Sequence, residues 1–332
     1  MPKTKVALLN RLPGPGHFSI ERLFSWISPA FPTQVEVQSL QCPHLSQGFR
    51  NRWQNIRWAK QQSGDILHIT GDVHYLALGT PRKRTILTIH DVVFLNQKKG
   101  LRRWILWLFW VYLPVRQAGL ITVISKASAD SLKEQIPTRW HQKIRIVPNC
   151  VDPNMRFQPK ESMPQQPRIL LIGTKPNKNL MRQLEALRLL NVKVHLIGHE
   201  NRQLREYLEK YRNPVQWDQG VSDEAMRQAY IDCDLLLFAS LEEGFGLPIL
   251  EAQAVGRPVV TSKQSSMPEV AGPGASLVNP TKIEEIRAAV KKITKDSDYR
   301  NQLVQAGYVN VQTYSAKQVA QSYLKVYREL LD

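Results

Sequence analysis

Short apolar runs alternate with amphipathic stretches along this chain of 332 residues. Apolar runs alternating with helical patterns predict a parallel sheet covered by helices on both faces. In the first half, the runs predicted to be strands are 6–10, 35–40, 66–70, 85–90, 120–125 and 144–148. The helical patterns between them are 20–30, 49–62 and 127–136.

The alternation begins again after a polar, proline-rich segment at 152–168, which we interpret as an interdomain linker. The second set of predicted strands is 169–173, 194–198, 215–218, 235–240, 259–262 and 276–279. The second set of predicted helices is 179–190, 203–211, 223–232 and 248–255, followed by a tail over 283–331 that is nearly all helix.

The fold class is therefore α/β, with two Rossmann-like domains whose parallel sheets face each other across a cleft. Ligands of such sheets bind outside the carboxyl ends of the strands, which predicts a site in that cleft. The predicted boundaries are a first domain over 1–155, a linker over 156–167, a second domain over 168–310 and a C-terminal helix within 311–332 that packs back on the first domain.

Composition narrows the class of protein. Three cysteines lie far apart, which argues against a disulfide framework or a zinc cluster and suits a reducing cytosol. The N-terminus shows no signal-peptide pattern, and the longest apolar run, 105–115, is too short for a membrane span. We therefore expect a cytoplasmic protein, placed peripherally at the cytoplasmic face of the membrane.

The net charge of +17 favours anionic partners, namely nucleic acid, an acidic membrane surface or a phosphate-bearing substrate. The sequence contains no helix-turn-helix, zinc-finger or RNA-binding aromatic motif. Nucleic acid is therefore not an expected partner. The charge by itself is also compatible with a role in solubility alone.

The segment 234–258 is the most informative part of the sequence. Its apolar run 235–239 predicts a buried strand, and Pro248 suits the first position of a following helix. Gly256 and a nearby proline end that helix. The loop between strand and helix therefore opens onto a helix N-terminus, where backbone N–H groups bind phosphate.

Two carboxylates bracket this loop, which contains Gly244 and Gly246. Glu243 precedes the glycines, and Glu251 is predicted in the first turn of the helix. Carboxylates accept hydrogen bonds from paired hydroxyls, so one suits a sugar and the other a ribose. Taken singly, Glu251 is also explained by the helix dipole and Glu243 by solvation in a loop.

The stretch from Glu243 to Glu251, EGFGLPILE, closely resembles the signature of family 4 retaining glycosyltransferases, which have the GT-B fold. The resemblance continues through 258–260 and 266–270 and covers essentially the whole chain in length and order. It implies that Glu243 contacts the transferred sugar and that Glu251 holds the donor ribose. It also implies a nucleotide-sugar donor and a glycan or lipid-linked acceptor.

A second group of candidate site residues follows the predicted strand that ends at Gly173. Lys178 lies at the entry to the next helix, where its charge can neutralise a diphosphate; an exposed cap-region lysine is the alternative. In the family a lysine at this place grips the diphosphate, usually with an arginine directly after the glycine. This chain has Thr174 there, followed by Lys175, so one phosphate contact departs from the family pattern.

Weaker signals lie in the first half. His90 ends a predicted strand, and a histidine there can donate to a sugar hydroxyl, although a structural hydrogen-bonding role is equally compatible. The loop 11–17 contains Gly14 and Gly16 but no dinucleotide fingerprint. In the family it borders the donor phosphate and the acceptor.

Basic residues lead into tryptophans between Lys98 and Trp110. A helix would carry Trp104, Trp107 and Trp110 along one drifting stripe, a pattern that suits an interfacial helix on anionic lipid. The alternative is a helix that packs in the core of the first domain.

The expected function is a retaining, metal-independent hexosyltransferase that uses a UDP- or GDP-linked sugar, with no cofactor. Two rivals stay open: a nicotinamide-dependent oxidoreductase, disfavoured by the missing fingerprint, and a non-catalytic basic protein that binds membrane or nucleic acid. The expected catalytic residues are Glu243, His90 and Lys178. The expected donor-binding residues are Gly14, Gly16, Gly173, Thr174, Lys178, Val221, Gly244, Phe245, Gly246, Leu247 and Glu251.

Overall fold

The computed structural model describes residues 3–12, 14, 19–95, 99–200 and 202–332. The chain divides into two compact units, one formed by 1–150 together with 316–332 and the other by 151–315. None of the helices in these described ranges combines the length and the apolarity needed to cross a membrane.

The first unit contains a sheet of six parallel strands in the order β2-β1-β3-β4-β5-β6. The strands are Thr4–Asn10 (β1), Val35–Gln41 (β2), Ile66–Ile69 (β3), Thr85–Ile89 (β4), Leu120–Val123 (β5) and Ile144–Ile146 (β6). The helices before the domain boundary are Ser19–Ile27 (α1), Gly48–Lys60 (α2), Gly100–Leu106 (α3), Leu113–Gln117 (α4) and Lys126–Lys133 (α5). A π-helical stretch, Trp107–Tyr112, joins α3 to α4.

The second unit contains another six-stranded parallel sheet, in the order β12-β11-β10-β7-β8-β9. Its strands are Arg168–Ile172 (β7), Lys193–Ile197 (β8), Val215–Asp218 (β9), Leu235–Phe238 (β10), Val259–Ser262 (β11) and Ser276–Val278 (β12). Its helices are Leu180–Leu187 (α6), Arg202–Leu208 (α7), Asp223–Asp232 (α8), Leu247–Ala254 (α9), Met267–Ala271 (α10), Ile283–Lys295 (α11) and Ser297–Gln312 (α12).

The central strands are buried on both faces, which explains why they appear in the sequence as continuous apolar runs. All four residues of β10 are almost fully buried. Element ends are the least accurate part of the prediction. The helix predicted over 179–190, for example, spans Leu180–Leu187.

The last helix, Ala316–Leu331 (α13), belongs to the first unit. Its buried residues Tyr323 and Tyr327 pack in the same cluster as Phe24 of α1. The part of the predicted segment 311–332 that joins the first unit therefore starts at Ala316, because α12 runs through 312 within the second unit.

The segment predicted as a linker, 156–167, packs on the second unit. The Phe157 ring lies 4.2 Å from the ring of Tyr308, centroid to centroid, and Lys160 donates to Asp234 at 2.6 Å. The segment therefore lies within the second unit, which begins at Val151, and these contacts hold it on the surface of that unit.

We expect Tyr327→Phe to lower the stability of the first unit. The Tyr327 hydroxyl lies 2.9 Å from Nδ1 of His68, whose Nε2 lies 2.7 Å from Thr88. Burial lowers the pKa of His68 to about 3, so the ring is neutral and depends on these partners. Loss of one partner of a buried polar group costs about 1–3 kcal/mol. Urea unfolding measures the resulting decrease in the free energy of unfolding.

The control is Tyr308→Phe, which removes a hydroxyl from an exposed tyrosine of the second unit and should leave the unfolding curve unchanged. Equal curves for wild type and Tyr327→Phe would contradict the role given to the His68 contact.

Candidate functional site

The strand order of the second unit reverses between β7 and β10. The chain leaves β7 toward β8 on one side and leaves β10 toward β11 on the other. In open parallel sheets, ligands bind in the crevice that such a reversal leaves at the carboxyl ends of the strands. The loop after β7 contains Lys178, and the loop after β10 contains Glu243.

Lys178 and Glu243 form an ion pair in this crevice. The Lys178 ammonium lies 2.7 Å from Oε1 of Glu243, and their side chains are 18% and 12% exposed. The ammonium also lies 4.6 Å from the ring centroid of Phe238. The structure thus brings together two of the three predicted catalytic residues, which are 65 positions apart in the sequence.

Hydrogen bonds tie the two loops to each other. Asn179, at φ +57°, donates from Nδ2 to the carbonyl oxygen of Ala239 at 3.0 Å. Gln183 accepts from the N–H of Ala239 and donates to the carbonyl oxygen of Lys178. Because these bonds span both loops, the positions of Lys178 and the 240–246 loop are coupled.

Gly173 leaves the space that the Lys178 side chain occupies. A Cβ at Gly173 would lie 2.9 Å from Cγ of Lys178, and the backbone φ of +90° also favours glycine. Gly173, which the sequence predicts to bind the donor, therefore also leaves room for the lysine side chain. Thr174 donates to the carbonyl oxygen of His199 at 2.7 Å. Lys175 is exposed.

The glycine-phenylalanine-glycine loop leads into α9. Gly246 has φ +105° and caps the helix, Leu247 is the first helical residue, and Pro248 is the second. The Phe245 ring is buried, and the hydroxyl of Ser266 lies 2.9 and 2.7 Å from the carbonyl oxygens of Glu243 and Phe245. These two bonds hold the loop, which includes Gly244, against the residue that caps α10.

Glu251 lies one residue further into the helix than predicted, just past the first turn. It is the fifth residue of α9, and no acidic residue lies in the first turn, so an interaction with the helix dipole does not explain it. Tyr230 of α8 donates from its hydroxyl to Oε2 of Glu251 at 2.5 Å. Burial, and then the Glu251 carboxylate, raise the pKa of Tyr230 well above its usual value.

Val221 follows β9, which lies two strands from β7 in the sheet. Neighbouring strands are about 4.8 Å apart, so the loop after β9 lies on the order of 10 Å along the sheet edge from the loop after β7. Gly220 has φ +61° and open space around its Cα. The sequence-predicted base-binding residues therefore lie along the same sheet edge as Lys178.

The first unit has its own strand reversal, between β1 and β3, and a cavity of about 360 Å³ close to the ends of these strands. His90 directly follows β4 and lines this cavity together with Gly14, Asp72 and Trp110. Gly16 lies outside the described residues.

His90 is held at a fixed position. Its Nε2 lies 2.9 Å from the carbonyl oxygen of Thr70, which can only accept, so Nε2 carries a proton. Burial lowers the pKa of His90 and favours the neutral ring. A neutral ring with its proton on Nε2 accepts a hydrogen bond at Nδ1. The donation to a sugar hydroxyl expected from the sequence would require the protonated ring.

Two sequence-family models match the chain one after the other. The model described as Glycosyltransferase Family 4 matches residues 13–155, and the model described as Glycosyl transferases group 1 matches residues 156–310. The chain belongs to the family 4 glycosyltransferases.

Curated relatives of this glycosyltransferase include the MMP alpha-(1->4)-mannosyltransferase of Mycolicibacterium hassiacum, 28% identical over 71% of this chain and 60% of the relative. The O-antigen chain mannosyltransferase B of Escherichia coli is 28% identical over 48% of this chain and 45% of its own length. The chain thus matches less than two thirds of the length of these relatives.

Among solved structures, Anabaena Alr3699/HepE in complex with UDP and glucose superposes with a TM-score of 0.75 at 16% identity, over 98% of this chain and 100% of that one. Sucrose-phosphate synthase from Thermosynechococcus elongatus also gives 0.75 at 16% identity, over 99% of both chains. The predicted GT-B fold is thereby confirmed.

Sequence reasoning missed two residues, Tyr230 beside Glu251 in the second unit and Arg11 beside the cavity of the first unit. Tyr230 is a lone tyrosine in a helix, and nothing in its local pattern signals a contact with Glu251. Arg11 is buried, donates to Glu21 at 2.8 Å and also contacts Asp72. These contacts join different elements of the fold, so the sequence does not indicate them. The only local indication of a role for Arg11 is its positive charge in the predicted 11–17 loop.

Gly71→Ala should reduce transfer without weakening donor binding. A Cβ at Gly71 would lie 2.5 Å from Cδ2 of His90, and the φ of +141° disfavours other residues. The displaced ring would leave the carbonyl oxygen of Thr70. We expect kcat to fall by at least about tenfold, which corresponds to about 1.4 kcal/mol of activation free energy. Steady-state kinetics and nucleotide calorimetry measure the two effects.

The matched control is Gly48→Ala, at φ +68° in the same unit but with no atom within 4 Å of the added Cβ. If both variants lose activity equally, the loss comes from backbone strain and not from His90.

Tyr230→Phe should weaken donor binding. The phenyl ring keeps the packing, but Glu251 loses the donor that orients its carboxylate, and hydrogen bonds to charged groups contribute about 1.5–3 kcal/mol. We expect an increase of about tenfold in the Kd of the donor nucleotide, equivalent to about 1.4 kcal/mol. Calorimetric titration measures it.

Tyr207→Phe is the control, because the Tyr207 hydroxyl donates to Glu185 at 3.1 Å elsewhere in the same unit. Unchanged affinity in Tyr230→Phe would separate Glu251 orientation from donor binding.

Proposed function

We propose that this family 4 glycosyltransferase moves a hexose from a UDP- or GDP-linked donor to a hydroxyl acceptor, with retention, in the synthesis of a cell-surface polysaccharide or glycolipid. The observation that carries the proposal is the Lys178–Glu243 pair at the strand reversal of the second unit. It places a cation and a carboxylate together where parallel sheets bind ligands.

In the proposed mechanism Lys178 binds the donor diphosphate. An ammonium has three N–H donors, so it can hold a phosphate oxygen while it keeps its bond to Glu243. The N–H groups at the start of α9 add positive potential next to it. Together they stabilise the negative charge that develops on the leaving phosphate as the glycosidic bond breaks.

Glu243 and Glu251 take different parts of the donor. Glu243 lies beside Lys178, so it is suited to accept from hydroxyls of the sugar attached to the diphosphate. Glu251, oriented by Tyr230, is suited to accept from the ribose hydroxyls. The 220–222 segment at the end of β9 would then contact the base.

His90 acts on the acceptor side in this proposal. It lines the cavity of the first unit, and its neutral ring offers an acceptor to a sugar hydroxyl. Asp72 and Asp91 line the same cavity and supply carboxylates for further hydroxyls. The acceptor is therefore proposed to be a hydroxylated glycan or a lipid-linked glycan.

Mannose and glucose are the sugars to test first. Relatives from Mycolicibacterium hassiacum and Escherichia coli are named mannosyltransferases, and the Anabaena neighbour was solved with UDP and glucose. Retention is proposed from family membership: the acceptor oxygen bonds to the anomeric carbon on the face from which the phosphate departs, and the departing phosphate oxygen takes the proton of the acceptor hydroxyl. Metal independence is proposed because Lys178 and the α9 N-terminus already supply positive charge at the diphosphate.

The proposed location is the cytoplasm, peripherally at the membrane. The sequence points to residues 98–110 as the contact; Lys98 lies outside the described residues, and the remainder includes α3.

The first test is a thermal-shift screen with UDP, GDP and ADP and their hexose conjugates, with and without EDTA. We expect one nucleotide family to raise the Tm equally in both buffers, since a ligand that binds only the folded state stabilises it. The stabilising donor is then used in a transfer assay, and proton NMR gives the anomeric configuration of the product.

Glu243→Gln is the matched variant, because it keeps shape and hydrogen bonding but removes the charge. We expect transfer to fall by about two orders of magnitude, within the range measured for loss of one stabilising group in a transition state. An inverted product would overturn the retaining assignment. No thermal shift in folded protein would favour the non-catalytic alternative. Full transfer by Glu243→Gln would instead contradict the role proposed for the Glu243 charge.

A further inference from the structure

Half of the exposed large apolar side chains in the described residues lie on or beside two helices of the first unit, α2 and α3. Of fourteen such side chains, seven belong to this group. They are Leu45, Phe49, Trp53, Leu101, Trp104, Ile105 and Phe109. A contiguous exposed apolar patch in a soluble protein marks an interaction site.

One face of α2 is both apolar and basic. Phe49 and Trp53 are 81% and 53% exposed, and with Arg50 and Arg57 they fall within an arc of about 100° on a helix of 3.6 residues per turn. The buried residues of the helix, Asn55 and Ala59, lie on another side. The exposed face is therefore not a part of the core.

None of the residues of α3 is buried. Leu101, Trp104 and Ile105 recur at the i, i+3, i+4 spacing of one helix face, and Leu101 is 71% exposed. Arg102 and Arg103 are exposed beside them. Trp107 and Trp110, by contrast, pack against the core of the first unit, so the tryptophans of this segment divide between core and surface.

Contacts of Trp110 and Tyr75 link α2 to the π-helical stretch that follows α3. The Arg52 guanidinium of α2 lies 4.5 Å from the ring centroid of Trp110, which follows α3 in the π-helical stretch. The ring of Tyr75 lies 5.3 Å from that of Trp110, and its hydroxyl accepts from Asn55 of α2. We call the exposed residues of α2 and α3 together the basic apolar surface.

The charged residues in the two sequence segments that form this surface are all basic. The sequence contains no aspartate or glutamate from 42 to 64 or from 92 to 117, while the two segments contain Arg50, Arg52, Arg57, Lys60, Lys98, Lys99, Arg102, Arg103 and Arg116. A second copy of the chain would bring like charges together at such a surface, which disfavours self-association. The exposed rings could stack on nucleic-acid bases but aliphatic Leu101 and Ile105 could not, whereas a lipid boundary accommodates both kinds of side chain.

We infer that the basic apolar surface docks this protein on a membrane rich in anionic lipid, with Phe49, Trp53, Leu101 and Trp104 inserted at the headgroup level. Aromatic and aliphatic residues flanked by arginine and lysine are suited to that boundary, where apolar burial and attraction to anionic headgroups add. Compared with the membrane contact expected from the sequence at 98–110, this surface adds the exposed face of α2.

The surface also adjoins the cavity that contains His90. Leu45, which precedes α2, and Leu106 and Trp110, which follow the exposed part of α3, line that cavity. A docked enzyme would thus hold the cavity near the headgroups. This placement of the cavity rests on the proposed function, in which the cavity is the acceptor site.

Sedimentation with vesicles tests the docking on the full chain. The vesicles are phosphatidylcholine alone or phosphatidylcholine with one quarter phosphatidylglycerol. We expect binding to the mixed vesicles and at least tenfold weaker binding to the neutral ones, with a loss at 1 M salt because charge attraction is screened. Equal binding to both vesicles, or none to either, would overturn the inference.

The double variant Phe49→Glu with Leu101→Glu should lose at least tenfold in affinity for the mixed vesicles. Both sites are exposed, so folding should be retained. Leu189→Glu, at a leucine of the second unit that is 65% exposed, is the matched control and should bind as wild type. Equal loss in the control would contradict the assignment to this surface.

Two further measurements distinguish lipid from the other possible partners of this surface, a second copy of the chain and nucleic acid. Light scattering of wild type and the double variant would show a dimer that the substitutions dissociate, and competition of vesicle binding by duplex DNA would show a nucleic-acid surface; either result overturns the lipid assignment. Transfer to a water-soluble acceptor should be unchanged in the double variant. Donor binding with no vesicle binding would refute docking and leave the proposed function intact.

Discussion

Parallel pairing of β7 with β10 is the constraint on which the rest of the proposed donor site depends. The two strands are distant in the sequence but adjacent in the sheet, and both end at the same edge. Lys178 and Glu243 meet because each follows one of these strands. The bonds that Asn179 makes across the loops then fix the separation of the charges. A shift of either strand would separate the ammonium from the carboxylate.

The two units use a similar arrangement at the ends of their strands. In the second unit a lysine side chain lies over Gly173, and in the first the ring of His90 lies against Gly71. Both glycines have positive φ, and at both a Cβ would overlap the functional side chain. The absence of a side chain at these positions is therefore what allows a basic group to lie close to the backbone at each strand end.

Charge and apolar surface are distributed unevenly, and this gives the excess of basic residues a structural meaning. In the second unit Lys178 is paired with a carboxylate inside a crevice. Around α2 and α3 the arginines have no acidic neighbours in the sequence and lie beside exposed rings such as Phe49 and Trp104. The first arrangement suits a small anionic ligand, and the second suits an extended anionic surface.

The sequence alone determined the alternation of strands and helices, the division into two parallel sheets and the family signature from Glu243 to Glu251, because these depend on local periodicity and spacing. It started the helix that contains Glu251 one residue too late, and it gave no contacts for the predicted linker at 156–167, since exact helix starts and packing are set by distant residues. Only the tertiary structure decided that Tyr230 orients Glu251, that Lys178 lies over Gly173, and that α2 joins α3 in one surface. These are contacts between residues far apart in the chain, which no local pattern encodes.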